Sequence, residues 1–334
     1  MRGNLSTPET MKWQTLHMAH RVGIIGLGTV GSRFVEQFNL HDAFDLISAW
    51  DIDDEACSSH ADSVRIASSA DDLIAECDLV YVAVPPLHHQ QYVLDCLSHK
   101  TAIFCEKPLG VDLQSSRQLV DAVNESGLPA GVNFVFSSAP SAVELQQRLT
   151  NQDLGDLIRA DLRLHFSKWP RGWHEKAQWL RLRDQGGWVR EVVSHFIFLT
   201  SRVLGEMTLE NGHIDYEDGP NGSLCEQTAL ALFSSRSIPL TLAGTSLGHG
   251  PDVVDLTFRG TSGSLRVWDW YQLQTATTDD WVDLFSSSRD QLGADAYAAQ
   301  LHQLDRMMNG DEHTIATFDE ALKVQESVES LLAG

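Results

Sequence analysis

Short apolar runs alternate with amphipathic stretches through the first third of the chain. Residues 21–25 form a β-branched run, which predicts a buried strand. A glycine-rich stretch follows. Over residues 32–40, Phe34, Val35 and Phe38 fall at helical spacing. Residues 44–50 read as a second strand, ending at Asp51. The alternation continues with a helix over 70–77, a fully apolar strand over 79–84 stopped by Pro85-Pro86, and a helix over 89–98. A strand over 102–105, a helix over 113–126 and a strand over 130–135 complete it. Strands alternating with helices predict a parallel sheet covered on both faces.

Near residue 136 the pattern changes. A helix over 142–149 precedes alternating or β-branched segments at 157–166, 223–233, 239–246, 252–259 and 264–268. These predict strands of a larger, mostly antiparallel sheet, interrupted by one helix over 187–204 and followed by helices over 294–308 and 318–332. The expected fold class is therefore α/β, with a nucleotide-binding type of domain over 21–136 and a second α/β domain over 137–334. Its 334 residues exceed what one ordinary core holds, which agrees with two domains. Residues 1–20 are polar and mixed and read as an N-terminal extension.

Charge and composition narrow the partners. A formal net charge of -22 repels phosphate backbones, so a small molecule rather than nucleic acid is expected. No stretch approaches roughly 18 consecutive apolar residues, so no membrane helix is expected. The first residues lack the apolar run of a secretory signal. The five cysteines (Cys57, Cys77, Cys96, Cys105 and Cys225) are odd in number and form no CxxC pair. No disulfide framework or metal site is expected, and a reducing, cytoplasmic compartment fits best.

Gly26-Leu27-Gly28-Thr29-Val30-Gly31 sits between the first predicted strand and helix. In that place GxGxxG predicts a dinucleotide cradle of the Rossmann type. Gly26 serves the tight turn, Gly28 the approach of the pyrophosphate, and Gly31 close helix–strand packing. The helix N-terminus offers free N–H groups to the phosphates. Asp51 ends the second strand, where a carboxylate accepts the ribose hydroxyls and repels a 2′-phosphate. No Arg or Lys lies in residues 50–56, so NAD is favoured over NADP. The alternative for Asp51 is a solvated turn acid, since Asp53, Asp54 and Glu55 follow.

Further motifs stand in order. Val84-Pro85-Pro86-Leu87-His88-His89 resembles a Thr-Pro-Pro-x-x-His turn, and Glu106-Lys107-Pro108 a Glu-Lys-Pro motif. Val132-Asn133-Phe134-Val135-Phe136 is similar to Asn-Tyr-Arg-Phe, with Val135 replacing the arginine. Residues 186–195 resemble Gly-Gly-Gly-x-Leu-x-Asp-x-Gly-x-His. Through these motifs the chain resembles the Gfo/Idh/MocA oxidoreductases, from about residue 20 to its end. The resemblance implies a Rossmann domain, then an α/β domain with a large, open, mostly antiparallel sheet. It also implies NAD(P)-dependent hydride transfer at a hydroxyl or carbonyl carbon of a sugar-like or polyol molecule. Thr29, Val30, Val84, Pro85, His89, Glu106 and Lys107 are then expected beside the cofactor. The sheet commonly carries a partner subunit in such proteins, so a homodimer or homotetramer is expected.

By the same resemblance His195 takes the catalytic histidine's place and Glu191 that of an upstream aspartate. They lie one helical turn apart, so Glu191 is expected to orient His195. Lys107 would polarise the reacting oxygen and His195 would exchange the proton, with Glu106 holding Lys107 or contacting the nicotinamide end. The competing role for His195 is a core histidine beside Phe196, Ile197 and Phe198. Phe198 stands where a second aspartate is usual, which implies a less polar pocket. Residues 168–188 hold Trp169, Trp173, Trp179 and Trp188 with Arg171, His174, Arg181 and Arg183. Trp173 and Trp179 are expected to meet the substrate, whether a sugar face, an aromatic group or an anion. Two other readings stay open: reduction of an imine or a hydrophobic carbonyl, and a non-catalytic NAD-binding regulator.

Overall fold

The computed structural model describes residues 19–174 and 177–333. Residues 1–18, most of the expected N-terminal extension, lie outside the described residues.

The first half builds a parallel sheet in the expected alternation. Its elements are β1 (His20–Ile25), α1 (Thr29–Asn39), β2 (Phe44–Trp50), α2 (Asp54–His60), α3 (Ala70–Glu76), β3 (Leu79–Val82), α4 (His89–His99), β4 (Ala102–Cys105), α5 (Leu113–Ser126) and β5 (Ala130–Val132). The order is β2-β1-β3-β4-β5, with every neighbouring pair parallel. β3 and β4 are buried along their whole length, which explains their unbroken apolar sequence. The chain leaves β1 for one edge and returns through β3 on the other side. A crevice therefore opens at the carboxyl ends of these strands.

Two expected strands are shorter than the sequence implied. β3 stops at Val82, because Ala83 and Val84 leave the ladder for a 3-10 turn at Pro86–His88. β5 stops at Val132, and Asn133 turns its amide into a buried polar network. The helix α2 was not foreseen. None of its residues is buried, and it rests on local signals: an Asp53 cap on the Glu55 amide, with Asp54 and Glu55 in its first turn.

The second half begins with α6 (Pro140–Thr150) and β6 (Leu157–His165). An irregular segment then leads to a π-helical turn at Val189–Val193, which runs directly into α7 (Ser194–Leu204). There follow β7 (Thr208–Tyr216), β8 (Glu226–Ser235), β9 (Ile238–Thr245), β10 (Val253–Gly260), β11 (Ser264–Trp268), β12 (Gln272–Ala276) and β13 (Val282–Asp283). Their order is β13-β12-β11-β10-β6-β9-β8-β7, antiparallel except between β6 and β9. Helices α6 and α7 belong to the core on one face of this sheet.

The last elements are α8 (Arg289–Met308) and α9 (Phe318–Ala333). They return to the first half. Leu301, Leu304 and Met307 of α8 share a core with Phe34 and Phe38 of α1, and Ala316 bridges to Val132. Among the described residues no helix is long and apolar enough to cross a membrane.

Candidate active site

The glycine turn forms as a cradle. Gly26 has φ +102°, and a Cβ there would meet the Ala83 carbonyl at 2.6 Å. A Cβ on Gly31 would lie 1.8 Å from the Gly26 oxygen, so this residue sets the packing of α1 on β1. Gly28 faces open space and caps α1 with no side-chain bond, and no acid occupies the first turn of that helix. The helix N-terminus is thus free to receive an anion. Asp51 closes the far end. Its Oδ2 accepts the Leu27 amide at 2.6 Å and its Oδ1 the Asp53 amide at 2.9 Å.

The cleft, of about 520 Å³, is lined by Gly26, Gly28, Thr29, Val30, Asp51, Val84 and Pro85 among others. Backbone donors, open space at Gly28 and a fixed carboxylate fit a dinucleotide. Two expected contacts fall elsewhere. Gly31 lies beneath the cradle rather than in its wall. His89 is fully buried, with Nε2 2.8 Å from the Val84 carbonyl and Nδ1 3.4 Å from that of Leu109. Burial lowers its imidazole to about 4, so it is a neutral brace behind the cleft and not a cofactor contact.

Lys107 follows β4 and lines this cleft together with a second pocket of about 480 Å³. Val30, Glu106 and Glu191 are likewise shared, so the two spaces meet at these residues. The buried Lys107 Nζ lies 2.6 Å from Glu191 Oε2 and also donates to the Glu191 carbonyl at 3.0 Å. Glu191, rather than Glu106, is therefore the lysine's holder. Glu106 instead accepts hydrogen bonds from Tyr81 and Asn133. Burial raises its carboxyl, and the Lys107 charge and these bonds oppose the rise. Gln300 of α8 donates to Asn133 at 3.2 Å and extends the network.

His195 lines the second pocket. Its ring meets Phe134, Phe136 and Trp270 edge-on at 5.8, 6.0 and 5.7 Å. Its Nδ1 is buried and has no hydrogen-bond partner. Burial, then the charges of Lys107 and Arg171, hold its imidazole well below the usual value. The expected Glu191–His195 contact is replaced by the lysine pair. The π-helical turn carrying Glu191 gives way to α-helix just before His195, so simple helical spacing does not apply there.

Other expectations are also revised. Phe198 is buried and stacks on Phe134 at 4.5 Å with rings 9° apart, and it does not line the pocket. It therefore makes the pocket no less polar. The motive it gave for an imine or hydrophobic carbonyl substrate falls away. Trp173 lines the second pocket, whereas Trp179 lines the nucleotide cleft. Trp188 is core, donating from Nε1 to the Glu226 carbonyl at 2.9 Å. His174 reaches the cleft beside Glu191, with Nε2 3.9 Å from Oε1, and burial lowers it to about 4.

Sequence reasoning missed Arg33, Trp270, Tyr271, Arg289 and Tyr297, all on the second pocket. Only Arg33 left a legible signal. It sits three residues after Val30 on an otherwise core-facing helix, hence on the face that also meets the cleft.

A parallel nucleotide-binding sheet followed by an open, mostly antiparallel sheet, with a lysine at their junction, defines an NAD-binding oxidoreductase architecture. Residues 20–134 match the family model GFO_IDH_MocA, an oxidoreductase family with an NAD-binding Rossmann fold. The parallel-sheet half of the chain thus matches the NAD-binding domain of this Gfo/Idh/MocA family. An uncharacterized oxidoreductase of Streptococcus pneumoniae is 23% identical over 257 residues, 74% of this chain and 68% of that protein. Inositol 2-dehydrogenase 2 of Saccharopolyspora erythraea is 27% identical over 145 residues, 41% of this chain and 43% of its own length. Among solved structures, GenD2 from gentamicin A biosynthesis, in complex with NAD, matches with a TM-score of 0.78 at 19% identity. That likeness covers 99% of this chain and 97% of the other.

Proposed function

We propose that the chain is an NAD-dependent dehydrogenase or reductase acting at a hydroxyl or carbonyl carbon of a sugar-like or polyol molecule. The observation that carries the reading is Lys107, which lines both the nucleotide cleft and the pocket holding His195. Gly26, Gly28, Thr29 and Val30 would hold the pyrophosphate side of NAD, and Asp51 the ribose. When bound, NAD supplies the hydride acceptor or donor.

The chain's own residues do the remaining work. Lys107 Nζ, oriented by Glu191, donates to the substrate oxygen and stabilises the negative charge that develops there. His195 is neutral because burial and two cations disfavour its charged form. It is therefore ready to take the hydroxyl proton in oxidation and to return it in reduction. Trp173 offers an indole face to the substrate ring.

The deciding experiment is a panel of sugars, polyols and imines assayed with NAD and NADP in both directions. Lys107→Ala and His195→Ala are each expected to lose about 100-fold or more in turnover while still binding NADH. Wild-type turnover in both variants would remove these assignments.

The exposed Ile158, Leu230, Leu232 and Trp268 on the larger sheet support a homodimer or homotetramer through that face. A monomer in light scattering would overturn this. Five free thiols, four of them buried, suit a reducing cytoplasmic setting.

A further inference from the structure

The pocket beyond Lys107 keeps positive charge that the rest of the chain would neutralise. The chain has 46 acidic residues against 24 basic ones. Arginines withdrawn from solvent elsewhere take carboxylates: buried Arg190 pairs with Glu329 at 2.6 Å, and half-buried Arg202 with Glu320 at 2.8 Å. Inside the pocket Arg289 is paired too, with Asp269 at 3.1 Å and Asp290 at 3.4 Å.

Arg33 and Arg171 differ. Among the described residues neither has a carboxylate within ion-pair distance. Arg33 Nη1 donates to the Tyr297 hydroxyl at 2.6 Å. Arg171 Nε is buried with no hydrogen-bond partner. Both guanidinium groups stand against the same indole, Trp173, at 5.6 and 4.7 Å, and Arg171 lies 5.3 Å from the Trp270 ring. Aromatic faces offset only part of the cost of desolvating a guanidinium. Its fork of N–H donors matches a planar or tetrahedral anion.

We propose that Arg33 and Arg171 form an anion subsite, and that the molecule filling this pocket is a sugar or polyol bearing a carboxylate or a phosphate. The anion sits at the arginines, and the reacting carbon sits at Lys107 and His195. This deepens the hydride-transfer reading above and rests on it for the identity of the pocket. A substrate of this class brings the missing counter-charge into a protein whose overall field opposes anions. Approach then depends on the local pocket, and raised salt weakens binding.

The test is calorimetric binding of D-glucose, D-glucuronate and D-glucose 6-phosphate to the full chain preloaded with NADH. At least one of the two anions is expected to bind tenfold or more tightly than glucose. Which one does so separates a carboxylate from a phosphate. Arg33→Gln and Arg171→Gln are each expected to remove most of that preference, with NADH affinity within threefold of wild type. Arg171→Lys serves as a second variant that keeps the charge and should retain part of it. Equal binding of all three probes, no binding of any, or an unchanged preference in both glutamine variants overturns the subsite. Turnover with NAD is followed on the same probes. Anion preference without hydride transfer would sink the enzymatic reading alone, and transfer from glucose without anion preference would sink the subsite alone.

Discussion

The Lys107 ammonium meets the Glu191 carboxylate at 2.6 Å and the Glu191 main-chain oxygen at 3.0 Å. The first residue follows β4 of the parallel sheet and the second sits in the π-helical turn of the other half. Their union therefore ties the two halves of the chain together. The Lys107 side chain is 7% exposed and that of Glu191 15%, so removing one partner strands the other charge with little water around it.

Glu191→Gln is accordingly expected to cost roughly 10- to 100-fold in kcat and about 3 kcal/mol in stability. The checks are steady-state kinetics and urea unfolding. NADH affinity, read by fluorescence, should hold within threefold, because the cradle at Gly26 and Gly28 does not depend on the pair. Unaltered kcat would show that the lysine needs no such holder.

On the proposed reading Asp51 carries the choice of cofactor. Its two carboxylate oxygens are pinned by the Leu27 and Asp53 amides, so the charge is held in place at the end of β2. Asp51→Ser is expected to narrow the preference for NAD over NADP at least tenfold in kcat/KM, since about 1.4 kcal/mol corresponds to tenfold. Parallel assays with both cofactors decide it. A ratio equal to that of wild type would return Asp51 to the role of a turn acid.

The pH profile follows from His195. Burial, Lys107 and Arg171 all disfavour the imidazolium, so the acid limb of kcat/KM for alcohol oxidation is expected below the ordinary 6.5. Arg171→Gln removes one of the opposing charges and should move that limb upward. An acid limb that stays put in the variant would detach the limb from this histidine.

Glu226 gives a stability profile of opposite sense to most carboxylates. Its Oε1 accepts the Val189 amide at 2.6 Å beneath the π-helical turn, and burial raises the carboxyl to about 7. Between 4.5 and about 7 the folded chain binds a proton that the unfolded chain has released. The group's contribution therefore declines as pH rises through that window. Glu226→Gln keeps an acceptor and cannot ionise, so it is expected to be more stable than wild type at pH 8, by on the order of 3 kcal/mol, and nearly equal at pH 5. Urea melts at both pH values measure this, and a pH-independent difference would contradict it.

The parallel sheet was legible because β3 and β4 are buried throughout and carry unbroken apolar runs, and β1 is buried from Val22 to Ile25. The nucleotide cradle was legible because GxGxxG stood between a strand and a helix. β7 was not legible: its core-packed Leu209 and Ile214 are separated by the run Glu210, Asn211, Gly212 and His213 in an edge strand. The Lys107–Glu191 pair was hidden by the π-helical turn, whose extra residue breaks helical spacing. Arg33 comes from α1, Trp270 from the turn after β11, and Arg289 and Tyr297 from α8. Only the return of α8 to the first half brings them around one pocket, and no local pattern encodes that return.

That return of α8 has a consequence for biosynthesis. Leu301, Leu304 and Met307 complete the apolar cluster around Phe34 and Phe38. A nascent chain that has made only its nucleotide-binding strands leaves one flank of their core wet. The nucleotide-binding half, though synthesised before the second half, is thus among the last to finish folding, and meanwhile it depends on whatever shields that flank until helix α8 arrives.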